Sequence, residues 1–287
     1  MRIRIALSAM LFVFAQAVSA AEPRQPASAT LKPPQRSAAS SPITDRFALR
    51  ISYYPSSIET QVRLDGDGNI GTDLLAEDDL GLDDRSDEAR AELLLRINER
   101  NRLRVDYLKL SRFGDVTLDR TINFGDEVFN VNDRAQTGLE WRQLTFTYTR
   151  SLLRRDRFEL GAGLGVSILE AKARGQVIAR NIREMQDGVG AFPTLAVDGT
   201  WRISKRWALS ARAQRLTATV DEFRGSMADY HADIQYRWRS NFAVGLGYTR
   251  LRALVDVGEG DEPGDDDLTG RFNQTLSGPE IFIRASF

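Results

Sequence analysis

One histidine, His231, lies two residues from Asp229 and two from Asp233. An Asp–His pair can act as a general base, because the carboxylate orients the imidazole and stabilises its charged form. Side chains two apart on a strand share a face, so a strand here would bring all three together. No serine stands in an obvious partner position for a nucleophilic triad. That favours a bland role, with His231 as one member of an interior network of hydrogen bonds and charges.

Two other stretches invite a binding role and lose it on inspection. Asp65-Gly66-Asp67-Gly68-Asn69 begins like a calcium loop, but the EF-hand pattern needs Gly at its sixth position and Glu at its twelfth. Ile70 and Ala76 stand there. Gly161-x-Gly163-x-Gly165 and Gly245-x-Gly247 have period two, which is a strand spacing and not a phosphate-cradling turn. They make room for large interior neighbours such as arginines, or ease curvature. Cysteine is absent and histidine single, so metal sites built on several such ligands are excluded. No metal and no cofactor is implied. The acidic clusters Glu77-Asp78-Asp79, Asp83-Asp84 and Asp265-Asp266-Asp267 offer diffuse attraction for divalent cations, not a site.

The elements that must carry these residues are strands. In Phe158–Ile168 the even positions Phe158, Leu160, Ala162, Leu164, Val166 and Ile168 are apolar, and the odd ones are Glu, Gly or Ser. One face is therefore hydrocarbon for about eleven residues, the length a tilted strand needs to cross a bilayer. A helix would scatter the same residues around its girth. The pattern recurs along the chain. Leu144, Phe146 and Tyr148 alternate with threonines, and Leu195, Val197, Trp201 and Ile203 with Thr194, Asp198, Thr200 and Arg202. Tyr230, Ala232, Ile234, Tyr236 and Trp238 alternate with Asp229, His231, Asp233, Gln235 and Arg237.

Counting these runs gives an all-β, up-and-down antiparallel transmembrane barrel of about ten strands, with eight or twelve as alternatives. Pro55 is expected to mark a bulge that shifts the phase of the first strand, turning Ile58, Val62 and Leu64 outward; a hairpin there would raise the count. A hairpin of its own formed by residues 122–131 would do the same. Long loops are expected at 65–84, 121–136, 175–190 and 258–269, alternating with short turns.

At the start, Arg2 and Arg4 precede the apolar run Ile5–Ala17 and the small-x-small site Val18-Ser19-Ala20. Residues 1–20 thus read as a signal peptide cleaved after Ala20. Residues 21–44 are Pro-, Ala- and Ser-rich and read as a flexible periplasmic leader. The barrel takes 45–287. The whole chain has a net charge near −1, without the basic excess of a nucleic-acid partner.

Alternation alone does not tell a membrane barrel from a soluble one. Aromatics decide it: Tyr148 and Phe158, Trp201 and Trp207, and Trp238 and Phe242 bracket short turns and are expected to form one interfacial girdle. The opposite face then lines the lumen, where charges must pair. From the amino-terminal half it draws Arg50, Glu59, Arg63, Arg90, Glu92, Arg104 and Asp106. The remainder supplies Glu159, Arg202, Arg212, Asp229, His231, Asp233 and Arg284.

With the signal segment, the strand series and the terminal Ile281-x-Ile283-x-Ala285-x-Phe287, residues 45–287 resemble small Gram-negative outer-membrane barrels such as the OmpA-like and OmpW-like groups. The resemblance implies an outer-membrane location, both termini in the periplasm, and recognition of Ile281, Ile283, Ala285 and Phe287 by the barrel-assembly machinery. Outer-membrane lipids and lipopolysaccharide are the implied surroundings. The expected function is non-enzymatic: a structural barrel or a narrow passive channel with a charged, largely filled lumen. A lipid-modifying or proteolytic enzyme centred on His231 and a surface-loop adhesin are the alternatives, and oligomeric state is left open.

Overall fold

The computed structural model describes residues 41–65, 70–124, 127–177, 182–220, 223–257 and 270–287. The expected signal peptide (1–20) and leader up to residue 40 lie outside the described residues, as do 66–69 of the would-be calcium loop and the acidic loop 258–269. Among the described residues there are only strands. In chain order they are β1 (Phe47–Leu64), β2 (Leu74–Leu75), β3 (Arg85–Arg96), β4 (Asn101–Thr117), β5 (Ile122–Phe124), β6 (Glu127–Phe129) and β7 (Arg134–Arg154). Then come β8 (Phe158–Val177), β9 (Ile182–Arg202), β10 (Trp207–Val220), β11 (Phe223–Arg237), β12 (Phe242–Val257) and β13 (Gly270–Ser286).

Ten of these make a wall in which each pairs antiparallel with the next, and β13 returns to pair with β1. Closure leaves no strand edge, so every backbone N–H and C=O can be satisfied inside hydrocarbon. Strand β2 lies along β1. The β5–β6 hairpin forms its own small sheet outside the wall. The turns 97–100, 155–157, 203–206 and 238–241 share one end, and the long connections 65–84 and 118–133 lie at the other.

Two expectations about the strands are corrected. Pro55 marks neither a bulge nor a hairpin: β1 is continuous, and its register with β13 is the same at Tyr53↔Ile281 as at Ser57↔Ser277. Pro55 falls opposite Pro279 across this seam, and the pairing lapses for Tyr54–Ser56 only. Two residues without N–H groups are thus confined to one interruption, and the pleat keeps its phase. The loop expected at 175–190 is instead strand. β8 continues to Val177 and pairs residue by residue with β9 from Ile182 onward. Its upper residues are polar and glycine-rich because they stand beyond the apolar belt.

That belt is on the outside. Leu160, Leu164, Val166 and Ile168 are exposed, Leu164 at 64%. Glu159, Ser167, Asp198, Arg212 and Asp233 are buried within. From Phe158 to Ile168 is roughly 33 Å of strand, or roughly 25 Å along the axis at a tilt of about 40°, the height of a transmembrane belt. At Ile168 the polarity crosses over. Above it Glu170, Lys172 and Arg174 face out, while Leu169 is buried and Ala171 packs inward beside it.

The inside is layered accordingly. Toward the short turns it is ionic. Above lies an apolar layer of Tyr54, Ile58, Leu108, Leu110, Trp141 and Leu276, with Trp141 stacked on Phe272 at 5.7 Å. The 70–84 connection then folds into the bore, where Leu74 packs with Leu118, Ile122, Phe129 and Val177. Arg112 pins it by donating to Glu77 at 2.5 Å and to the Asp83 carbonyl at 3.0 Å.

Inner-face glycines make the room these contents need. A Cβ at Gly161 would meet the Arg102 guanidinium, and one at Gly245 the Phe282 ring. At Gly163 it would overlap the Tyr148 carbonyl of the paired strand, whereas at Gly199, on the outer face, it would make ordinary contacts with Leu160 at 3.7 Å and the Glu159 carbonyl at 3.8 Å. Gly163→Ala should therefore cost about 1–3 kcal/mol and Gly199→Ala less than about 0.5 kcal/mol. Urea unfolding from lipid vesicles measures both; equal effects would contradict this packing.

Candidate functional site

The feature with chemical content is the ionic layer in the lower bore, built from inward positions of eight strands. At its centre is His231 on β11, 3% exposed. Its Nε2 lies 2.9 Å from Asp233 Oδ2, and its Nδ1 lies 2.9 Å from Thr249 Oγ1 and 3.1 Å from Glu280. Arg50, from β1, donates to Asp233 and to Glu280, each at 2.9 Å. Its guanidinium carbon sits 3.5 Å from the centre of the Phe282 ring, a cation–π arrangement. The Thr249 hydroxyl donates to Glu280 at 3.0 Å. Tyr54 joins this cluster to the apolar layer above, donating to the Thr249 carbonyl at 3.2 Å.

Beside it, Arg90 bridges Asp229 at 2.8 Å and Asp106 at 3.2 Å. Arg212 pairs with Glu92 and lies 3.4 Å from Asp106, and Arg104 lies 3.7 Å from Glu92. Nearer the short turns, Arg96 holds Glu159 through two bonds of 2.8 Å. Arg102 lies 2.9 Å from Asp198 and 3.6 Å from Glu159, which also accepts from Ser151. At the mouth, Asp45 takes Arg237 at 2.6 Å and Arg284 at 3.3 Å.

The structure thus brings together Arg50, Arg90, Glu92, Arg104, Asp106, Glu159, Arg212, Asp229, His231, Asp233 and Arg284. Arg202 stays half-buried at the rim. Glu59 and Arg63 do not join. Because β1 keeps its phase through Pro55, Glu59 is exposed and Arg63 pairs locally with Asp65 at 2.8 Å, while Tyr54 and Ile58 take the inward positions. The charge network expected from the sequence leaves out Arg96, Arg102, Asp198, Arg237 and Glu280, although period two puts each on the polar face. Asp45 had no such signal, since it precedes the first strand. Ser41–Thr44, assigned to the leader, form a turn in the mouth, with the Thr44 N–H donating to the Ser41 carbonyl at 2.8 Å and Ile43 buried.

On the outer face, Phe158, Trp201, Trp207, Trp238 and Phe242 are exposed near the short turns. Phe158 pairs directly with Trp201, and Trp238 stacks on Phe242 at 6.1 Å. Tyr148 is exposed but stands higher: it pairs with Leu164, well up β8 from Phe158, because the β7–β8 turn lies several residues below it. Phe47 and Phe287, 6.4 Å apart, complete the lower ring. A second, upper ring of exposed Tyr53, Tyr107, Tyr230 and Tyr248 went unread in the sequence. Ile281, Ile283 and Phe287 are exposed on the outer face of β13, with Ala285 half-buried beside them.

No family model matches the chain, and no curated protein matches it. Among solved structures, the outer membrane protease OmpT from Escherichia coli aligns over 86% of this chain and 98% of its own, at 11% identity and a TM-score of 0.46. Ail, the attachment invasion locus protein of Yersinia pestis, aligns over 82% and 99%, at 12% identity and 0.30. The outer membrane protein OprG from Pseudomonas aeruginosa aligns over 83% and 96%, at 8% and 0.32. At these values the likeness transfers no residue and no activity.

Removing one partner from a buried ion cluster leaves the others uncompensated, at about 3–5 kcal/mol. Glu159→Ala should show that loss, since Arg96 and Arg102 both rely on it. Asp79→Ala, which breaks the more exposed Arg120–Asp79 pair of 2.7 Å, should cost about 1 kcal/mol or less. Paired urea titrations decide, and equal costs would refute the claim that the inner pairs are held by burial.

Proposed function

We propose that the protein is a non-enzymatic barrel of the Gram-negative outer membrane, exported with a cleaved signal peptide, with both termini in the periplasm and a filled bore. The observation that carries this reading is the stacking of three different plugs along one axis. Paired arginines and carboxylates fill the lower bore, the Trp141 layer the middle, and the 70–84 connection the top. A narrow barrel has little free lumen once side chains occupy it. The outer belt with its two aromatic rings supports the membrane location.

An enzyme centred on His231 draws less support. The Asp233–His231 pair has the spacing of a general base, but Arg50 already neutralises Asp233 and the imidazole is enclosed. A substrate would have to cross the Trp141 layer or the Asp45 mouth to reach it. The packed long-loop end favours a second reading, a surface binding protein, because β5–β6 and the 70–84 connection are held on a common core with the wall.

Conductance in planar bilayers tests the main reading. Wild-type protein should stay at background. Arg112→Ala, which frees the 70–84 connection, should raise conductance only if the ionic and apolar layers below fail to seal. Steady single-channel steps from the wild type would rule out a filled bore. Loss of a lipid- or peptide-cleaving activity in His231→Ala would rule out the non-enzymatic role.

A further inference from the structure

Above the tyrosine ring the outer wall is charged, but unevenly. On β7 and β8 each cation has a carboxylate partner: Arg142 lies 3.3 Å from Glu170, Lys172 2.9 Å from Glu170, and Arg174 3.1 Å from Glu140. On β10 and β12 the outward positions beside and above Tyr230 and Tyr248 carry Arg215, Arg250 and Arg252, all exposed. Among the described residues none of the three has an ion pair; Arg252 donates only to the Asn273 side chain, at 3.4 Å.

The register sets their spacing. Arg215 and Arg252 both pair with Ala228 on β11, from either side. Their backbones therefore stand two strand spacings apart, roughly 10 Å. Arg250 pairs with Tyr230, one pleat nearer the belt on the same outward face. Ala228 is small, so the floor between the arginine stems is low. Tyr230 and Tyr248 lie just beneath, 43% and 55% exposed. Along the same row the next carboxylate is Glu59 on β1, on the far side of Thr275.

We propose that this basic cradle binds the phosphate-bearing headgroup of an outer-leaflet lipid, whose acyl chains run down the belt below. The proposal rests on the outer-membrane reading above. Guanidinium groups grip phosphate through paired N–H donors. Exposed tyrosines mark the headgroup level; Arg250 stands beside Tyr230, and Arg215 and Arg252 stand one pleat above it. Three like charges at this spacing repel one another, and a shared anion removes that repulsion. On the β7–β8 side every one of these cations already has a carboxylate partner and so gains less from an added anion, and the lipid is held on the β10–β12 side of the barrel.

The test uses the full barrel in symmetric nanodiscs of equal phosphatidylglycerol and phosphatidylcholine, with retained lipid counted by native mass spectrometry. Wild-type protein should retain phosphatidylglycerol preferentially. Arg215→Gln, Arg250→Gln and Arg252→Gln should each lower that preference, by about five-fold per arginine at low salt. The charge-neutral control Glu170→Gln with Lys172→Gln should leave it unchanged. If the triple variant does not fold, Arg250→Gln alone and a rise in salt, which screens exposed charge, should each weaken the wild-type preference. An unchanged preference in a folded triple variant, or no preference in the wild type, overturns the proposal. Displacement of the lipid by millimolar inorganic phosphate would assign the cradle to a soluble anion and also overturn it. Symmetric discs offer the headgroup whichever way the barrel inserts, so failure here counts against the cradle and not against the membrane orientation.

Discussion

Charge in a bore this narrow has to be cancelled where it stands. An ion out of water costs several kcal/mol unless a partner and further hydrogen bonds compensate it. The lower lumen meets that demand with links between strands far apart in sequence: Arg50 on β1 to Asp233 on β11, Arg90 on β3 to Asp229 on β11, Arg96 on β3 to Glu159 on β8. Arginine suits the task because its planar fork serves two carboxylates at once, as Arg90 and Arg50 do. The glycines follow from the same demand, since Arg102 occupies the space that a side chain at position 161 would fill.

The crossover at Ile168 extends this logic along the axis. Below it the surroundings are hydrocarbon, so apolar side chains face out and charge is confined within. Above it the surroundings are water, so the ordinary arrangement returns, with Leu169 and Trp141 inside and Glu170 and Arg142 outside. One continuous strand therefore carries two opposite polarity patterns. The exterior ion pairs of the upper part are exposed and individually weak. What holds the upper part is the apolar core it shares with the folded connection 70–84.

Much of this was legible because period two is a strong signal. Fold class, belt and most of the inward charges follow from alternation in runs such as Phe158–Ile168. The failures share a cause: each lay where alternation was weighed against a local marker. At Pro55 the proline was read as a change of phase, which misplaced Glu59 and Arg63; the structure instead sets Pro55 opposite Pro279 and lets the ladder lapse. At 175–190 glycine and charge suggested a loop, although polar composition is what a strand above the lipid carries. Tyr148 was grouped with Phe158 by closeness in sequence, while the length of the β7–β8 hairpin sets them at different heights. Asp45 was beyond any periodic reading, because its role depends on where the first strand begins relative to the barrel mouth.

Asp45 also bears on how the barrel closes. The β1–β13 seam closes the barrel between the first strand and the last, and its backbone ladder lapses at Pro55 and Pro279. Slipping a strand by one residue turns every side chain to the opposite face. Here such a slip would drive Arg284 and Glu280 into the belt, take Glu280 from Arg50 and Arg284 from Asp45, and pull Ile281 and Ile283 into an ionic layer. The Asp45 carboxylate reaches Arg284 from the amino-terminal side of this seam, and Arg50 reaches Glu280 across it. The ion pairs therefore discriminate against misregister at the joint that closes the barrel. On this account the charged layer is retained less for net stability than for closing the barrel in a single register.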